Sequence, residues 1–155
     1  MSGVFRRQGY FPPMISREDV LDRSAAGGDR YPLLTVREFF HGNEVEDSIA
    51  PNQYGYGRPD LAEIARRLDV LAADPVVAWV RVQLHEEMFE DFYEGLAAEA
   101  VAVCTTLSGG DVDARLDVAS LQAEPVWEGL VYDVVDFCDV PPVPDGYRVL
   151  SLVWD

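Results

Sequence analysis

The stretch PDLAEIARRLDVLAADPVVAWVRVQL, residues 59–84, sets a helix against a strand with only Asp74-Pro75 at the junction. Leu61, Ile64, Ala65, Leu68, Leu71 and Ala72 recur at helical spacing and make one apolar face, while Arg66, Arg67 and Asp69 fall on the other side. Pro59 suits the first helical position, so the helix is expected over 59–73. From Val76 the pattern changes. The run is β-branched, and Val80, Val82 and Leu84 alternate with Arg81, Gln83 and His85, which is strand spacing over 76–84.

Working outward, 100–107 reads as a second, largely buried strand. The segment 147–154 reads as a terminal strand with Arg148, Leu150, Leu152 and Trp154 on one face and Tyr147, Val149, Ser151 and Val153 on the other. Apolar groups on both faces call for cover on both. The run 126–135 is strand-like but interrupted by Gly129, and 111–121 reads as a helix after a Gly109-Gly110 turn. The acidic, aromatic segment 86–99 fits either a long connection or a short helix. Upstream, Thr35 and Glu38 have capping-box spacing, Leu34 and Phe39 form a hydrophobic staple, and Gly42 stops the short helix 35–41. The polar, aperiodic run 43–57 reads as a long loop. The core order is thus helix, strand, strand, helix, strand, strand. That order predicts an α+β fold, a mainly antiparallel sheet with helices on one face, and matches a permuted ferredoxin-like sandwich.

Residues 1–30 differ from the rest. They hold five arginines against four acids, a balance of +1, whereas 31–155 hold seven arginines against twenty-four acids, a balance of −17. Pro12-Pro13 and Ala25 to Gly28 punctuate them, and a short helix capped by Ser16 fits 16–24. The expected organisation is an N-terminal arm, 1–30, ordered only by docking, and a single acidic domain, 31–155. At 155 residues, 48% of them apolar, a chain buries roughly 70% of its unfolded surface and folds without staples. No apolar run approaches the ~18 residues of a membrane span, and residues 1–10 do not form a secretory signal. Two cysteines, Cys104 and Cys138, make no disulfide framework and suit free thiols in a reducing cytoplasm.

The charge repels nucleic-acid phosphate and anionic membranes, which argues against both as partners, and would hasten encounter with a basic protein. The run Glu86, Glu87, Glu90, Asp91 and Glu94, interleaved with Phe89, Phe92 and Tyr93, is the candidate docking face. Its spacing matches no calcium loop. His85-Glu86-Glu87-Met88-Phe89 starts like a zinc-protease helix but has Phe at the position of the second histidine, and His41 is the only other one. No metal or other cofactor is expected. The second candidate site is Asn52-Gln53-Tyr54-Gly55-Tyr56-Gly57-Arg58, where glycines admit a ligand to the backbone and Arg58 is placed to grip an anion; Asn52, Tyr54, Tyr56 and Arg58 are its ligand-binding candidates. The same tyrosines equally suit packing of the loop. Ser48, Ser108, Ser120 and Ser151 lie in no nucleophile pattern, and Cys104 in an apolar strand is a poor nucleophile, so no catalytic residue is assigned. Trp79, Trp127, Tyr147 and Trp154 read as core, Trp154 becoming an interface candidate if exposed.

Three stretches carry a resemblance: Tyr31-Pro32-Leu33-Leu34-Thr35 with Glu38-Phe39-Phe40 and Gly42-Asn43; Val126-Trp127-Glu128-Gly129; and Pro144-Asp145-Gly146-Tyr147-Arg148 running to Trp154-Asp155. Together they resemble a family of small uncharacterised bacterial proteins of actinobacterial type, a domain of unknown function, over most of the chain after residue 30. The resemblance implies no activity and no site residue. The expected function is therefore a cytoplasmic, non-enzymatic protein-binding module, in its concrete form an immunity- or inhibitor-type protein for a basic partner. The alternative is a small-ligand-binding protein or enzyme using the 52–58 loop. A third reading is a subunit docking through the arm or the 147–154 strand edge.

Overall fold

The computed structural model describes residues 15–154. The decisive stretch folds as helix α3 (Leu61–Ala72), a tight turn, and strand β2 (Val77–Leu84). Asp60 caps α3 by accepting the Glu63 N–H at 2.9 Å, so Pro59 stands outside the helix, before the cap. Twelve residues make a marginal helix in isolation. What holds α3 is the burial of Leu61, Ile64, Leu68 and Leu71, each apolar side chain contributing about 1.5–3 kcal/mol.

The remaining elements are α1 (Arg17–Ala26), β1 (Leu33–Thr35), α2 (Val36–Phe40), β3 (Ala98–Thr105), α4 (Gly109–Leu116), β4 (Trp127–Glu128) and β5 (Arg148–Val153). The strands form one open antiparallel sheet in the order β1-β2-β3-β5-β4. The class is α+β, as the element order predicted.

Register decides the two faces. Val80 faces Val103 and Val82 faces Val101, which in turn face Leu150 and Leu152. These side chains meet the four helices in the main core. The opposite face carries Trp79, Ala102 and Cys104, and the irregular chain from 129 to 147 covers it through Leu130, Val140 and Tyr147. A polar network pins that cover down. Gln83 Nε2 donates to Ser151 Oγ at 2.8 Å, Ser151 Oγ donates to the Gly129 carbonyl at 2.6 Å, and Val131 N–H donates to Gln83 Oε1 at 2.9 Å. The cover then reaches the far edge, where Tyr31 N–H donates to the Asp136 carbonyl and Cys138 N–H to the Tyr31 carbonyl.

Several expectations are corrected. Only Trp127 and Glu128 of the expected 126–135 strand pair with the sheet; Gly129 at φ +104° turns the chain away to become the cover. Trp127 is consequently exposed, not core, whereas Trp154 is buried. The expected 111–121 helix begins earlier, capped by Ser108, and breaks at Asp117, which adopts a left-handed φ of +54°, before a separate helical turn at Val118–Leu121. The segment 86–99 opens with one helical turn, Glu86–Phe89, and the 43–57 loop contains another, Glu46–Ser48. Strand β5 lies between β3 and β4, so the proposed docking edge at 147–154 is inside the sheet.

Residues 1–14 of the expected arm lie outside the described residues. The rest of it packs on the domain: Val20 of α1 belongs to the core. Arg17 donates to the Met88 and Glu90 carbonyls, and Arg23 pairs with Glu38 and Asp139 at 3.0 Å each. The Thr35–Glu38 capping box forms, Leu34 and Phe39 are buried, and Gly42 at φ +74° ends α2. Cys104 is buried and Cys138 half-buried; both are free thiols, and burial pushes both pKa values up.

Candidate functional site

Arg58 is the most constrained polar side chain in the 52–58 loop. Its guanidinium is fully buried and donates to the carbonyls of Pro59, Glu46 and Ile49 at 2.9, 2.7 and 2.6 Å and to Glu46 Oε1 at 2.7 Å. Tyr54 stacks over it, 5.0 Å from ring centroid to Cζ. The expectation that Arg58 grips an anion does not fit this placement, because its buried guanidinium is already engaged by three carbonyls and the Glu46 carboxylate. Tyr56 is 80% exposed, and Asn52 lines a cleft.

Arg58 instead builds a wall. By tying Glu46 and Ile49 together it holds the Glu46–Ser48 turn, and Ile49 bridges to Ala98 at the start of β3. Between this wall and the turn after β2 lies a cleft of about 380 Å³ that gathers Asp47, Asn52, His85, Glu87, Tyr93 and Glu99. Trp154 lines it too, anchored by its indole N–H to the Leu121 carbonyl at 2.8 Å. Three carboxylates from three separate elements thus line it, and no arginine is among the described residues lining this cleft. A second cleft of about 390 Å³ adjoins it, sharing Asp47, Ser48 and Tyr93 and running on to Leu96 and Ile15.

Of the acidic candidates, Glu87 lines the first cleft and Glu94 the second, while Glu86, Glu90 and Asp91 are exposed beside them. The reading of the residues missed Asp47 and Glu99. Neither carries a local signal; both enter the site through the Ile49–Ala98 bridge. Tyr93 and Tyr132 both respond to the acidity. Burial, then the Asp47 and Glu87 carboxylates, raise the Tyr93 phenol above its ordinary pKa. Burial, then the hydrogen bond it donates to Glu99, raise that of Tyr132, whose oxygen also accepts the Glu86 N–H at 3.0 Å. Tyr132 so ties the acidic turn to the carboxylate of β3.

His85 Nδ1 is occupied by the Glu87 N–H at 3.0 Å, which makes the imidazole a cap for its own turn. Ser48 is buried and accepts from Asn43 Nδ2 at 3.0 Å. Among the described residues no group of three or more His, Cys, Asp or Glu is placed to hold a metal ion, and no helix is long and apolar enough to cross a membrane.

No curated protein and no solved structure matches the chain. A family model does, over residues 15–152, which takes in α1 and so extends the likeness into the segment first set apart as an arm. The chain belongs to the uncharacterized protein YfbO family.

Proposed function

We propose that this protein is a cytoplasmic, non-enzymatic binding module for a basic protein, an immunity- or inhibitor-type role, and that it takes arginine or lysine side chains of its partner into the Asp47–Glu87–Glu99 cleft. The observation that carries the reading is that those three carboxylates line one cleft, with no arginine among the described residues that line it. The exposed Glu86, Glu90 and Asp91 beside it extend the negative field from which encounter is steered. The alternative, a small-ligand site on the 52–58 loop, has less support because Arg58 serves the loop itself.

The test is capture of partners from host lysate at low salt, identification of those released by high salt, and kinetics of the purified pair. Charge reversal at Glu86, Glu87, Glu90 and Asp91 is expected to slow association, and Asp47→Asn with Glu99→Gln to speed dissociation. An association insensitive both to salt and to these substitutions would sink the assignment.

A further inference from the structure

The cover from 129 to 147 forms no strand of the sheet. It is held by Leu130, Val140 and Tyr147 against Trp79, Ala102 and Cys104, and by single hydrogen bonds such as the one Trp79 Nε1 donates to the Pro142 carbonyl at 3.0 Å. Strand β3, by contrast, is paired on both sides. A segment with few buried contacts opens at a lower free energy than the middle of a sheet.

One residue of the cover serves the acidic cleft. The Tyr132 hydroxyl donates to Glu99 Oε1 and accepts the Glu86 N–H at 3.0 Å. Glu99 lines the cleft, and Glu86 opens the helical turn that brings Glu87 to it. The rings repeat the connection. Tyr31 lies 5.0 Å, centroid to centroid, from both Phe89 of that turn and Tyr132 of the cover. Its N–H and its carbonyl are both bonded to the cover, at Asp136 and Cys138. No residue of 129–147 is among the described residues lining the cleft. We infer that the cover and the Glu86–Phe89 turn open and close as one unit, with the Tyr132 hydroxyl as the link, so that a segment that does not line the cleft sets its shape.

When the cover lifts, Tyr132 leaves with it. Glu99 then loses a donor, the Glu86 amide loses its acceptor, and Tyr31, which backs Phe89, loses both main-chain anchors. The dependence is mutual by linkage: a group that takes Glu99 away from Tyr132 loosens the cover. What this does to a partner rests on the proposed function; the link itself does not.

Native-state hydrogen exchange on the full chain, without any partner, tests the link. The Cys138 amide, bonded to the Tyr31 carbonyl, reports the cover, and the Glu86 and Met88 amides report the turn. Val140→Ala trims the cover at a half-buried contact with the sheet. Exchange at Cys138 is expected to rise roughly fourfold, the effect of one buried methylene, and exchange at Glu86 and Met88 to rise by the same factor. Glu86 and Met88 amides that keep their wild-type exchange overturn the inference. Tyr132→Phe keeps the ring and removes only the hydroxyl. In its presence Val140→Ala should still speed exchange at Cys138 while its effect on Glu86 and Met88 shrinks. An undiminished effect there overturns the assignment of the link to that hydroxyl. Because no partner is present, failure here leaves the proposed function to its own experiment.

Discussion

Replacing Arg58 by methionine keeps much of the apolar volume while removing every donor of the guanidinium. Three main-chain carbonyls and one carboxylate then lose their hydrogen bonds. Bonds to a charged group are each worth about 1.5–3 kcal/mol, and breaking a buried ion pair costs about 3–5 kcal/mol. The Glu46 side chain keeps 30% of its exposure, so its carboxylate recovers part of its hydration and the low end applies, about 3 kcal/mol. For a domain of this size 1 kcal/mol corresponds to roughly 2–4 °C at the midpoint, which places the expected loss at about 6–12 °C. Thermal and urea unfolding followed by circular dichroism provide the assay, with an unchanged urea slope showing that the folded state is still compact. Hydrogen exchange at Ser48 and Ile49 should accelerate in the variant more than exchange in β3. A midpoint within 2 °C of wild type would refute the reasoning, and would return Arg58 to the role of a ligand-gripping residue whose removal leaves the unliganded fold intact.

Gln83→Leu should lose about 2 kcal/mol in urea unfolding, because Val131 N–H and Ser151 Oγ are left without the partner they have at 2.9 and 2.8 Å; a neutral result would mean the 129–147 cover is not held by this network. Glu63, hydrogen-bonded first by Arg66 and then by Arg67, is lowered to about 2 from its ordinary 4.5. Its folded form thus holds a proton less readily than the unfolded chain. The stabilisation it lends is complete above about pH 4.5 and is lost as pH falls toward about 2. A carboxyl NMR titration should place its midpoint near 2, and Arg66→Ala should raise it; a wild-type midpoint above 4 would count against the pairing.

The sequence by itself determined the elements whose signals are local. The apolar face of 61–72, the alternation of 80–84, the Thr35–Glu38 capping box and the switch of faces in 147–154 each follow from periodicity or from a cap a few residues long, and each stands in the structure. The acidic character of the 86–94 run was equally plain, since charge needs no fold to be counted. Tertiary structure decided the rest. Trp127 and Glu128 are a strand only because β5 offers them an edge, and the apolar residues that follow serve a cover whose path depends on the distant Tyr31 and Gln83. Arg58 looked the same in sequence whether it faced solvent or the loop's interior; burial assigns it to the Glu46 and Ile49 carbonyls. Asp47, Glu87 and Glu99 are far apart in the chain and share a cleft because Ile49 meets Ala98. A contact of that kind arises from chain closure over long separations, and no window of neighbouring residues encodes it.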